Sequence, residues 1–205
     1  MNLLKKAIFS LLFVAFASAM FAQVGVRAGI TLPNYSGDET DGFDANLGLT
    51  LAALYEIPIS DNFAIQPELA FVQKGYKFEA DIFGTTFETK TRINHIDVPI
   101  LAKVKFGNES VMAYAAAGPT LGYAISGSIE VDGDSESIDD WDAFNRFEIG
   151  ASVGAGAGIP AGNGQVFLDV RYLLGLTNLA DTDDDITVRN SGLNLSVGYM
   201  ANLNN

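Results

Sequence analysis

Residues 94–107 read NHIDVPILAKVKFG, and every second position is apolar: Ile96, Val98, Ile100, Ala102, Val104 and Phe106. The other parity carries His95, Asp97, Pro99, Leu101, Lys103 and Lys105. A period of two sustained over this length is an extended strand with one oily face and one charged face, because a helix would scatter both sets around its surface. Strands of soluble domains run to about 5–6 residues, whereas a tilted strand crossing a bilayer needs roughly 9–11. This stretch has the second length, and its two faces suit a wall between water and hydrocarbon.

The same design recurs along the chain. Val24, Val26, Ala28, Ile30 and Leu32 alternate with Gly25, Arg27, Gly29 and Thr31, and residues 45–57 place Leu47, Leu49, Leu51 and Ala53 opposite Asn46, Gly48, Thr50 and Glu56. A third strand runs from residue 63 to about 78, with Ile65, Leu69 and Phe71 opposite Gln66, Glu68 and Lys74. Beyond the fourth, residues 94–107, come an alanine- and glycine-rich stretch to about residue 129, then strands over 146–159, 166–174 and 192–201. That makes eight, an even number. Pro67, Pro99 and Pro119 lie within three of them and predict local bulges.

The connections alternate in kind. Tight turns at residues 58–62, 107–110 and 161–165 interleave with longer, mostly acidic loops at 34–43, 79–91, 130–143 and 180–186. The short-turn and long-loop ends of an outer-membrane barrel face the periplasm and the exterior respectively, so both termini are expected in the periplasm.

The first residues carry Lys5 and Lys6, an apolar run to Phe16 and then small residues, the order of a secretory signal. The expected division is a signal peptide over 1–22 and one barrel domain over 23–205. Without Lys5 and Lys6 the formal charge of -13 becomes about -15, which disfavours nucleic acid as a partner. The chain has no cysteine, which excludes a disulfide scaffold, a thiolate metal site and a cysteine nucleophile.

Alternation alone leaves open which face looks inward, since a soluble lipocalin-like barrel alternates equally well. The polar parity carries Arg27, Glu56, Glu68, Lys74, Asp97, Lys103, Lys105, Glu148, Asp169 and Arg171, five cations and five anions. Inside a lumen of eight strands these can pair, whereas unpaired charges there are costly. Glycine on the same parity leaves room for long side chains. The reading is therefore charges inside as a structural network and hydrocarbon outside, with Phe63, Phe106, Tyr123 and Tyr172 in interfacial girdles. The fold expected is an all-β, eight-stranded antiparallel up-and-down transmembrane barrel.

Several stretches carry a resemblance: GVRAGITLPNY (25–35), FAIQPELAFVQKGYKF (63–78), HIDVPILAKVKFG (95–107), AYAAAGPTLGYAISG (113–127), FEIGASVGAGAGIP (147–160), DVRYLLGLTNLAD (169–181) and LNLSVGYM (193–200). In this order they resemble the outer-membrane β-barrel family of Bacteroidetes that includes the PorT-like proteins. The resemblance implies an eight-stranded outer-membrane barrel, for most members without biochemical activity. The chain departs from such barrels at its end, which reads MANLNN after Tyr199 where an aromatic residue often closes the last strand.

Few residues suggest chemistry. His95 is the single histidine, so a multi-imidazole zinc site is impossible, and with Asp97 it reads as a polar contact at a strand end. Gly154, Gly156 and Gly158 lack the helix and lysine of a phosphate loop and read as lumen-facing. Asp169, Arg171 and Glu148 form the densest charged group and read as an ion-pair network. Asp132, Asp134 and Glu136, and separately Asp181, Asp183 and Asp185, space oxygen ligands as a calcium loop does, without its glycine and distal glutamate. They read first as a solvated surface that repels anions, with calcium as the alternative, and no cofactor is expected.

The function expected is a structural, adhesive or interaction role in the outer membrane without catalysis. Its partners would be outer-membrane lipid and other envelope proteins, and the chain would act as a monomer. Alternatives are a component of a protein secretion apparatus, a narrow solute pore, or a soluble ligand-binding barrel.

Overall fold

The structure is a computed structural model of the whole chain; it describes residues 22–37, 43–82, 85–108, 110–131, 133–141, 144–179 and 187–202. The expected signal peptide over 1–22 lies outside the described residues except for Ala22. Ten strands follow in order: β1 Gln23–Gly37, β2 Phe43–Asp44, β3 Gly48–Pro58, β4 Phe63–Ile82, β5 Thr85–Gly107, β6 Met112–Val131, β7 Asp134–Ser137, β8 Phe147–Ala161, β9 Gly164–Gly175 and β10 Val188–Asn202. Eight of them, all but the short β2 and β7, pair with their chain neighbours in antiparallel fashion, and β1 closes on β10. The ring is therefore complete, and no long strand has an open edge in the wall.

The partners fix the geometry of closure. A walk from Lys105 passes through Tyr114, Gly156, Asp169, Ser196, Gly29, Thr50 and Val72 and returns to β5 at His95, ten positions from its start. With strand rise and spacing of about 3.3 and 4.8 Å, that stagger tilts the strands by roughly 40°.

Outward-facing side chains form a continuous apolar belt. Val26 is 58% exposed, Leu51 58% and Leu168 61%, and Ile100, Val104, Val153, Val170 and Leu195 stand in the same layer. A soluble monomer does not present so wide an apolar surface. Phe63 and Phe106 lie at the turn end, and Tyr123 and Tyr172 lie toward the loop end. Inside, Leu54, Val72, Leu101, Tyr114, Phe167 and Met200 pack with small alanines into a core cluster that shares the lumen with the charges.

Three expectations need correction. Residues 79–91 are not a loop: β4 and β5 continue to Ile82 and from Thr85, paired through Glu79↔Glu88 and Lys77↔Lys90. Beyond the lipid the outer face need not be apolar, so the alternation of hydropathy ends while backbone pairing goes on. Charges take its place, with Lys77 bridging Glu79 at 2.7 Å and Arg92 bridging Glu130 at 3.0 Å. Likewise residues 130–143 are only partly loop, since β6 reaches Val131 and β7 folds back on it.

The prolines do not set bulges. Pro67 opposes Ile100, Pro99 opposes Thr120 and Pro119 opposes Ala151, with the same register on either side of each. Proline removes one ladder donor, which interrupts bonding without adding a residue. The register shift between β5 and β6 falls instead at Asn94/His95: Asn94 opposes Ser126 and His95 opposes Ala124, so Ile125 is an extra residue. Past it the alternation of β6 is reversed, bringing Gly127 and Ile129 to the inner side.

Candidate functional site in the lumen

Nine of the ten charges selected from the sequence are buried, and Lys105 is half-buried beside them at the turn end. They sort into three tiers along the axis. At the turn end, Glu56 receives Lys103 at 2.7 Å and Lys105 at 2.9 Å. Lys103 also donates to Gln66 Oε1 at 2.9 Å, and its ammonium lies 4.1 Å above the Tyr114 ring.

The middle tier is built on Glu68. Arg171 Nη1 donates to both its carboxylate oxygens at 2.9 Å, Arg27 Nη2 to Oε2 at 3.1 Å, and Gln66 Nε2 to Oε1 at 2.6 Å. Arg171 also bridges Asp169, whose other oxygen accepts the Tyr114 hydroxyl at 2.7 Å. Arg27 Nη1 reaches Asn194 and Ser196 at 3.1 Å. Two guanidiniums and two carboxylates balance, and Gln66, Tyr114, Asn194 and Ser196 add hydrogen bonds, which help a buried ion cluster to be tolerated.

The third tier lies toward the loops. Lys74 Nζ sits 3.1 Å from Asp97 and 3.2 Å from Glu148, and Asn190 Nδ2 donates to Glu148 Oε2 at 2.5 Å. The His95 ring stands 3.7 Å from Glu148 through Nε2 and 3.3 Å from the Ile93 carbonyl through Nδ1.

Two groupings expected from the sequence are thereby revised. His95 is in the body of β5, not at a strand end, and its charged neighbour across the lumen is Glu148. Glu148 is likewise not grouped with Asp169 and Arg171. Strand tilt places Gly156 opposite Asp169 and lifts Glu148 a tier higher, while Glu68 crosses from β4 to take its place. The glycines of β8 do make room: a Cβ on Gly154 would stand 2.6 Å from Arg171 Cγ, and one on Gly156 2.3 Å from the Tyr114 ring.

The sequence reading missed Gln66, Tyr114, Asn190, Asn194 and Ser196 as partners of the charges. Their inward parity was the available signal, but neutral residues draw no attention in a search for charges.

Above the third tier the lumen is capped by side chains of another kind. Tyr35, Tyr76, Ile93 and Ile129 from the wall meet Trp141 and Phe144 around a cavity of about 190 Å³. Arg146 stacks 4.8 Å from both the Tyr123 and Trp141 rings, and Asn145 N–H donates to the Leu179 carbonyl, tying one loop to the next. Of the candidate calcium ligands, Asp134 and Glu136 lie exposed on β7; Asp132, Asp181, Asp183 and Asp185 lie outside the described residues. Among the described residues no three acidic, histidine or cysteine side chains cluster as a metal site would require.

The chain is similar to three solved structures at low identity. The attachment invasion locus protein Ail of Yersinia pestis is 18% identical, with 88% of this chain and 99% of that one covered and a TM-score of 0.46. Neisserial surface protein A is 18% identical, covering 90% and 97%, with a TM-score of 0.49. The N-terminal β-barrel domain of Pseudomonas aeruginosa OprF is 13% identical, covering 87% and 96%, with a TM-score of 0.39. Among curated protein sequences none matches. The sequence model of the family described as "Outer membrane protein beta-barrel domain" matches residues 16–181, most of the chain. With a closed ring, an apolar exterior and a charged interior already in hand, that match settles the family: the chain belongs to the outer-membrane protein β-barrel domain family.

Proposed function

We propose that this outer-membrane barrel is a closed, non-catalytic scaffold that presents its long β4–β5 hairpin and acidic loops to the exterior for contact with other envelope components. The observation that carries this reading is the filled lumen. Ion-paired side chains cross it in three tiers, and aromatic and aliphatic side chains cover its loop end. Among the described residues these side chains leave no open column for water and solutes, which supports a scaffold over a narrow pore. The lumen charges of the described residues are held by mutual pairing, so none of them stands free beside an open cleft as a general acid or base would.

In this reading residues 1–22 are an export signal removed from the mature chain. The short turns and both termini face the periplasm, and the barrel works as a monomer. The seven stretches quoted above support a place among the PorT-like barrels of Bacteroidetes. Planar-bilayer recording of the refolded protein tests the function directly: no unitary conductance is expected, and stepwise currents in the wild-type protein would establish a pore. Protease treatment of intact cells tests the orientation, with cleavage expected within the β4–β5 hairpin and not at the turns.

A further inference from the structure

The three tiers are not equally balanced. The middle one has two cations and two anions, whereas the turn-end tier has Lys103 and Lys105 against Glu56, one positive charge in excess. That excess sits beside open water, since Lys105 lines a polar cavity of about 240 Å³ at the turn end with Gln23, Gln165 and Asn202. The loop-end tier has the opposite imbalance: Asp97 and Glu148 share the single ammonium of Lys74. Here the carboxylates are 2% and 5% exposed, so solvent does not screen them as it does Lys105.

This same tier borders a small cavity of about 20 Å³, lined by Thr31, Lys74, Asp97, Thr120, Glu148 and Asn190 among others. Three of those residues bring buried oxygens that have no hydrogen-bond partner: Thr31 Oγ1, Thr120 Oγ1 and Asn190 Oδ1. Their residues are 0%, 8% and 5% exposed. The carboxylates are seated over glycines. A Cβ on Gly122 would stand 2.6 Å from Asp97 Oδ1, and one on Gly175 would stand 3.1 Å from Glu148 Oε1. Buried polar atoms are nearly always satisfied, and three oxygens without a protein partner border this one cavity.

We propose that this cavity is a binding site for one monovalent cation of the sodium or potassium class, held by Asp97, Glu148, Thr31, Thr120 and Asn190. Its volume admits a single water-sized particle. Its donors are all oxygen, the set that hard cations take. With both carboxylates ionised and the His95 imidazole beside Glu148 neutral, the uncompensated charge is one, which a monovalent ion cancels, and the adjacent Lys74 ammonium opposes a divalent one. The ion would complete the loop-end tier and fix the floor on which the aromatic cap rests.

Two measurements decide it. The first is anomalous diffraction from crystals of the detergent-solubilised barrel soaked in thallium(I) or rubidium. An anomalous peak in the cavity is expected, and ordered water there without anomalous signal would overturn the proposal. The second is thermal unfolding in micelles at fixed pH and ionic strength, with sodium, potassium or choline as the cation. The midpoint should rise by roughly 3 °C or more from choline to sodium or potassium and saturate with concentration. Thr120→Val, which keeps the shape and removes one ligand, should lose most of that rise. Equal midpoints in choline and in both alkali cations, or a full rise in the Thr120→Val protein, would overturn it.

Discussion

At the scale of single residues, the lumen is decided by which side chain is left behind when its partner goes. Arg171→Ala removes two bonds to Glu68 and the bridge to Asp169 from a site with no access to water. The expected loss is about 3 kcal/mol or more in urea unfolding from lipid bilayers, the scale of a broken buried pair. Glu56→Gln at the turn end leaves Lys103 beside Gln66 and the Tyr114 ring and Lys105 partly in water, so its cost in the same assay should be clearly smaller. Gly156→Val should fail to fold, because its side chain would have to occupy the space of the Tyr114 ring and the Leu168 carbonyl.

At the scale of elements, two departures from a plain barrel stand out: the long β4–β5 hairpin and the bulge facing it on β6. The hairpin is laced by Lys77, Glu79, Glu88 and Lys90. Hydrogen bonding from Lys90 lowers the Glu88 carboxyl, and the same bond raises Lys90, while Glu79 raises Lys77. A lowered carboxyl contributes stability above its ordinary range and loses it as pH falls through the folded value; a raised ammonium contributes below its ordinary range and loses it at strongly alkaline pH. The hairpin should therefore open to amide exchange first in acid, below the carboxylate range, with the wall still protected. These groups are exposed, so the effect should weaken in high salt.

The bulge predicts something sharper. Deleting Ile125 would restore the simple register, turn Gly127 and Ile129 outward and remove the surface on which Ile138 and Trp141 rest. Trp141 is the sole tryptophan, so its emission should shift to the red in the deletion variant while the folded barrel persists.

How far the sequence could be read follows from the same elements. The wall was legible wherever one face met lipid, because lipid enforces strict alternation: Val98 and Ile100 outward, Lys103 and Asp97 inward. Above the lipid that pressure ends, and β4, β5 and β7 look like polar loop although they are paired strand. The bulge at Ile125 was illegible for a related reason. It changes which side chains face in without changing which residue types are present. Within the lumen, parity identified the charged residues but not their partners, since tilt decides that Arg171 meets Glu68 and that Glu148 meets Lys74.

At the scale of the whole molecule, stability rests on a ring whose backbone bonds are all internal and whose exterior needs lipid or detergent. The unboiled protein should migrate differently from the boiled one in a denaturing gel, and the folded form should be recovered only when refolding is done with detergent or lipid present. Protein that remained monodisperse in plain buffer would contradict the apolar belt.

The seam between β1 and β10 joins the first strand of the sequence to the last, from Gln23↔Asn202 to Gly37↔Val188. No shorter piece of the polypeptide can be a cylinder, and an incomplete sheet would carry unbonded amides into oil. β10 must therefore be made before the cylinder can close. In the interval the newborn polypeptide, oily on every second side chain, has to be escorted through water by something other than itself.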